Sequence, residues 1–438
     1  MLKTLQNAFK IKEIRDKLLF TFFMLVVIRI GSQLPIPGVN TRFFEELFSR
    51  QANDAFGFFN TITGGSFTNM SVFALSITPY ITSSIIMQLL TIAIPKLEEM
   101  HRDGADGRKK IAEYTRYLTV ALALLQSIAM AVGFGGRGLL IDFTPLNVIV
   151  VVVTMTAGSA MLMWIGERIT EHGVGNGISI VLLFNIISTI PSDMITLYER
   201  FIRGRIVAAG VVSAIVIVAI IVAVVVFVVI LQGGIRRIPV QYSKKVQGRR
   251  MVGGQSSSIP LKVNTAGVIP VIFASSIMSF PVVIASFFQV DYTSFGGQIL
   301  TMLNSGSWFR PDAPVYSIGM VLYVVLIVVF AYFYTSITFN PLEIANNMKK
   351  SGGFIPGIRP GKPTSDYLNG ILNYIVFIGA CGLIIVCIIP IIVSGLFSVG
   401  SLSFGGTSLI IIVGVVLETI KAVESQMLVR NYKGFLSD

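Results

Sequence analysis

Ten stretches of this chain are long, apolar and nearly free of charge, and no other feature narrows its fold so sharply. They centre on residues 18–31, 72–94, 118–134, 146–165, 178–190, 207–231, 266–288, 317–339, 371–397 and 408–428. Crossing a hydrocarbon core of roughly 30 Å takes about 20 apolar residues wound as a helix. In lipid every backbone amide must be satisfied within the protein, so only helices and closed barrels span, and these runs lack the polar alternation of barrel strands. A hydrophobic share of 53% against 13% charged residues excludes an ordinary soluble domain. The expected fold class is an all-α polytopic membrane protein with ten transmembrane helices.

Lys10, Lys12, Arg15 and Lys17 precede the first run, but no small-x-small cleavage site follows it, so an uncleaved first span is expected rather than a signal peptide. The remaining cations set an orientation, because basic loops stay on the cytoplasmic side. With the amino terminus inside, the inner segments hold most of the Lys and Arg, while the outer ones hold only Arg42, Arg50, Arg137, Arg200, Arg203, Arg205 and Arg310. Both termini are therefore expected in the cytoplasm. An even number of spans divides into two halves of five, residues 1–190 and 207–438, joined by an external hinge loop over residues 191–206, and an odd number per half permits an inverted repeat.

Three segments stand apart from ordinary short loops. Residues 233–264 concentrate Arg236, Arg237, Lys244, Lys245, Arg249 and Arg250 among glycines, as expected of a flexible basic hairpin. Residues 340–366 carry Lys349, Lys350, Arg359 and Lys362. Such charge suits a phosphate-rich or acidic partner, and it equally suits topology enforcement or contact with anionic membrane lipid. Residues 56–70, FGFFNTITGGSFTNM, are apolar yet too short and glycine-broken to span. They fit a re-entrant piece buried in protein or an interfacial segment on the outer leaflet.

Pro79, Asn185, Pro270, Pro281 and Pro390 interrupt spans, as an enclosed path or plain kinks would require. Arg29 and Glu418 lie near the ends of runs, where long side chains reach the interface, and are given no transport role. Enzymatic chemistry lacks support: no HExxH, GxSxG or GxxxxGK[ST] motif occurs, and Gly173, Gly175 and Gly177 open a membrane helix rather than follow a strand. Cys381 and Cys387 lack metal-ligand spacing and read as packing residues. No metal or cofactor is expected.

Seven segments in order carry a resemblance along nearly the whole chain: FALSITPYITSSIIMQLL (73–90), GRKKIAEYTRY (107–117), WIGERITEHGVGNGISI (164–180), RRIPVQYSKKVQGRR (236–250), LKVNTAGVIPVIFASSI (261–277), NPLEIANNMKKSGGFIPGIRPG (340–361) and FGGTSLIIIVGV (404–415). The sequence resembles the SecY family of channel subunits of the general protein-secretion translocon. That resemblance implies an hourglass channel in the plasma membrane, built from two inverted five-helix halves, which passes secreted chains across and releases membrane segments sideways. It implies a plug within residues 56–70, including Phe59, Thr61, Ile62, Gly64, Gly65 and Phe67, and a pore ring of Ile81, Ile85, Leu182, Ile186, Ile272 and Ile411. It also implies SecE and SecG subunits, polypeptides bearing signal sequences as substrates, and docking of the SecA motor or the ribosome's RNA on Arg249, Arg250, Lys244, Lys245, Arg359, Lys349 and Lys350. The channel would be passive, with the partner supplying the energy. A secondary transporter of a small solute is the competing class; it needs polar groups at mid-membrane, where Asn185 is almost alone.

Overall fold

The structure, a computed structural model, describes residues 9–43, 60–201, 207–242, 245–247, 250–252, 256–286, 294–304, 307–308, 314–397 and 406–434. In chain order its helices are α1 (Lys12–Gln33), α2 (Thr78–Ala93), α3 (Pro95–Arg102), α4 (Ala105–Phe134), α5 (Pro145–His172), α6 (Gly177–Phe201), α7 (Val207–Gly233), α8 (Ile269–Ser286), α9 (Phe295–Leu303), α10 (Ser317–Thr338), α11 (Pro341–Lys350), α12 (Lys362–Phe397) and α13 (Gly406–Gly434). Strands β1 (Ile235–Tyr242), β2 (Lys245–Gln247), β3 (Arg250–Val252) and β4 (Ser256–Lys262) lie between α7 and α8, and β5 (Gly353–Phe354) follows α11.

All ten apolar runs fall on helices. Among the described residues five helices are each long and apolar enough to cross a bilayer, and α2 with α3 makes a sixth, bent by 106°; α1, α7, α8 and α13 carry the other four runs. Phe22, Ile149, Ile215, Val321 and Phe377 all point outward and exposed, as a lipid-facing surface allows and a soluble one does not.

Local chemistry sets the helix ends. Leu34-Pro35-Ile36-Pro37 stops α1, since a residue before proline is driven out of the helical region. Thr144 caps α5 by accepting from the Asn147 amide, with Pro145 in the first turn. Asn340 caps α11 by accepting from Leu342 and Glu343, while Lys349 and Lys350 close its last turn against the carbonyl end.

Two expected boundaries move. Residues 72–77 of the second run are turns, so helix α2 starts at Thr78 and Pro79 begins it rather than kinks it; at 1.5 Å per residue its 16 residues reach about 24 Å. The expected hinge loop also shortens, because α6 runs through Pro191 to Phe201, leaving only residues 202–206, which lie outside the described residues. Just before Pro191, Ser188 Oγ donates to the Asn185 carbonyl and Thr189 Oγ1 to that of Ile186 (2.7 and 2.8 Å). The carbonyl left without its helical donor by Pro191 is that of Ile187, so these two bonds reinforce the preceding turn and do not replace the lost one.

Packing divides the molecule into two halves and a seam. One core joins Ile36, Phe134, Leu139 and Met155, entirely within the amino-terminal half. Another joins Val228, Ile327, Leu383 and Val386, entirely within the carboxy-terminal half. A third, described below, is shared. Within the amino-terminal half, Gly158 of α5 sits so close to the segment before α2 that a Cβ there would overlap the Val72 carbonyl oxygen. Gly158→Ala should therefore cost about 1–3 kcal/mol, read as a lower melting temperature in detergent; an unchanged value would mean that this crossing has slack.

The all-α expectation gains a small sheet. β1 pairs antiparallel with β4 from Ile235↔Lys262 to Gln241↔Ser256, so the described residues of this basic loop form a hairpin, with Ile238, Val240 and Leu261 buried. The other edge of β1 pairs with β5 through Gln241↔Phe354 and Tyr242↔Gly353. Both basic loops therefore share one sheet and one end of the molecule. Met348, Ile355, Leu368 and Ile375 complete the small core beneath it.

Candidate functional site

The third core lies where the halves meet. Ile28 of α1, Leu162 and Ile165 of α5, and Leu182 and Ile186 of α6 pack there against Ile272 of α8 and Ile411 and Val415 of α13, with Ile81 of α2 partly buried against them. Leu182 and Ile186 are one helical turn apart and so present a single face. Five of the six expected ring residues are thereby brought together: Ile81, Leu182, Ile186, Ile272 and Ile411. Ile85, one turn beyond Ile81, is half-buried and stands outside this cluster.

Ile62 belongs to the same cluster. Residues 60–63 form one helical turn, and turns continue to residue 77. Thr61, Ile62, Ser66, Phe67 and Met70 are buried, which favours the re-entrant reading over the interfacial one. The segment is stitched to the end of α1, as Ile36 N donates to Met70 O and Val72 N to Leu34 O (3.0 and 2.9 Å). Gly64 and Gly65 both have left-handed backbones (φ 67° and 82°). Phe59 lies outside the described residues.

Polar groups that the sequence alone did not single out as a set converge on this segment. Asn185 Nδ2 donates to the Ile62 carbonyl (3.1 Å) and to Ser76 Oγ (2.9 Å). Arg29 Nη1 donates to the Gly64 carbonyl (3.2 Å), and Ser188 Oγ, whose single proton is shared with the nearer Asn185 carbonyl, reaches the same oxygen at 3.3 Å. Ser159 Oγ donates to the Ser76 carbonyl (3.1 Å). Ser76 itself is fully buried with a φ of 51°, a conformation uncommon outside glycine and costly unless its surroundings hold it. Because the acceptors are mostly main-chain carbonyls, no side-chain motif announces them.

At the sheet end, Lys349, Lys350 and Arg359 are exposed. Arg359 rides a turn bounded by Gly357 and Gly361 (φ 84° and 105°), and its carbonyl accepts from Thr364 Oγ1 (2.8 Å). Lys245 opens β2 opposite Val252, and Arg250 opens β3 opposite Gln247. Lys244 and Arg249 lie outside the described residues.

A family model described as SecY matches residues 71–420, and the chain is 43% identical over 442 residues to the protein translocase subunit SecY of Halalkalibacterium halodurans, covering 100% of each. The chain belongs to the SecY family. The SecY of Bacillus subtilis is 41% identical over 448 residues, again across 100% of both chains. Solved structures agree on the fold. A protein conducting channel superposes with a TM-score of 0.66 at 20% identity, covering 94% of this chain and 92% of that one. Sec61 in the canine ribosome-channel complex superposes at 0.64 and 19% identity with the same coverage. The two-half architecture with its apolar seam is thus the SecY fold.

Proposed function

We propose that this chain is the channel-forming subunit of a protein translocase, passing polypeptides that bear signal sequences across the plasma membrane and releasing membrane segments sideways. The observation that carries this reading is the seam itself: Leu182 and Ile186 from one half meet Ile272 and Ile411 from the other, with Ile62 of a re-entrant segment in the same cluster. Facing aliphatic side chains make a constriction that water and ions cross reluctantly. Apolar packing has no directional bonds to break, so it can yield around a passing chain. Ile81, Leu182, Ile186, Ile272 and Ile411 form the pore ring, with Ile85 at its margin, and residues 56–70 form the plug.

Both termini face the cytoplasm, as does the sheet that displays Arg359 and Lys350. SecA or the ribosome docks on that surface, salt-sensitively because the contact is electrostatic. SecE and SecG complete the channel, anionic lipid surrounds it, and the chain performs no catalysis of its own. A solute transporter finds less support, since both amide hydrogens of Asn185 are spent on Ile62 and Ser76, leaving them unavailable to a substrate.

Photocrosslinkers placed at Ile272 and Ile411 in membranes that also contain the partner subunits test the path. Adducts to a stalled secretory chain are expected at both positions and should vanish when the signal sequence is deleted. Absence of adducts there, while Arg359 still crosslinks to SecA or the ribosome, would mean that the path runs elsewhere.

A further inference from the structure

Arg29 of α1 and the pair Asn185 and Ser188 of α6 are distant in sequence yet end on two carbonyls of one short segment, those of Ile62 and Gly64. We propose that they form a latch holding the plug in the closed channel by its backbone, so that these three side chains help to set how readily the channel opens. The inference rests on the plug reading above.

Three observations support it. First, the geometry is reciprocal: the plug side of the latch needs Gly64. A Cβ at Gly64 would meet Ser188 Oγ at 2.8 Å and the Asn185 main chain at 3.0 and 3.1 Å, and the left-handed φ would strain any other residue. Second, Asn185 is 5% exposed and lies one residue before the ring residue Ile186. A buried amide in an apolar seam is costly unless bonded, and here it is bonded to the plug and to Ser76, on the turn leading into α2. Displacing the plug would strand that amide, which makes the latch cooperative with the seal. Third, every donor and acceptor belongs to the amino-terminal half. Parting the two halves therefore does not by itself break these bonds, and plug release needs a separate event.

Gripping carbonyls has a further consequence. The latch is indifferent to the side chains of Ile62 and its neighbours, so substitutions there leave it intact, whereas changes of backbone conformation at Gly64 do not. Arg29, Asn185 and Ser188 are positioning residues, acting on the pore through the plug.

Ion efflux from proteoliposomes holding the full channel with its partner subunits tests this. Asn185→Leu, close in size but without donors, is expected to raise resting leak about tenfold, and Gly64→Ala to do the same, with both channels still folded and melting cooperatively in detergent. The double variant should leak no more than about twice the larger single, because either change frees the same short segment and a plug already released cannot be released again. Arg29→Lys, which keeps a donor, should leak less than Arg29→Met. Single variants that stay at the native level, or a double variant whose effects multiply, would overturn the latch. Deleting residues 60–65 separates the two levels of inference. Leak from the deletion without leak from Asn185→Leu would sink the latch and leave the plug standing. No leak from the deletion would sink the plug reading and the latch with it.

Discussion

Ile272→Asn will leak ions at least tenfold faster than the native chain when the channel is reconstituted at rest, and Ile85→Asn will leak less than Ile272→Asn. Ile272 is 8% exposed in the seam cluster, packed with Leu182, Ile186 and Ile411. An Asn amide there has no apolar contacts to offer, and burying it without full hydrogen bonding costs about 1–3 kcal/mol. Opening to water relieves that cost, which shifts the closed-to-open balance by roughly ten- to hundredfold. Ile85 stands outside the cluster, so an amide at that position hydrates without breaking the seal. Equal leak from the two variants would place the narrowest level a turn away from the seam.

The second large effect concerns docking. Arg359→Glu is expected to weaken SecA or ribosome binding by one to two orders of magnitude at low ionic strength, with the difference narrowing as salt is raised. Arg359 is held out on a short turn between two left-handed glycines, with Ile355 and Ile358 beneath it in the small core. A charge presented on a firm base meets its partner with little ordering cost, so reversal converts a fixed attraction into a fixed repulsion. Binding measured at two salt concentrations decides the matter. A loss that does not change with salt would assign the site to shape rather than charge.

The spans were legible in the sequence because a membrane helix must be long and apolar before anything else. Residues 317–339 were expected from hydropathy, and α10 occupies Ser317–Thr338. Breaks were less legible. Pro79 and Pro191 look alike as letters, yet one begins α2 and the other sits within α6, because a proline costs no helical bond in a first turn and one bond further in, and where a helix starts is not written in the proline. The two-residue strand β5 has no periodicity to read, and it joins β1 only through contacts that reach across two spans and are invisible locally. The seam residues came from motif position, while Ile85 shows that helical spacing alone does not tell which turn meets the opposite half. Arg29, given no transport role from its place near the end of the first span, donates instead to the Gly64 backbone.

Joining β5 to β1 makes the three-stranded sheet and α12 mechanically one piece. A load applied at Arg359 cannot be absorbed by a slack loop. It passes through Ile355 and Leu368 into the 36-residue helix α12, whose middle carries Leu383 and Val386 into the carboxy-terminal core. The amino-terminal core contains none of these side chains. A motor or ribosome pressing on this handle therefore applies torque to one half alone, and the reaction to that torque falls on the interface at which Ile272 and Ile411 bear against Leu182 and Ile186.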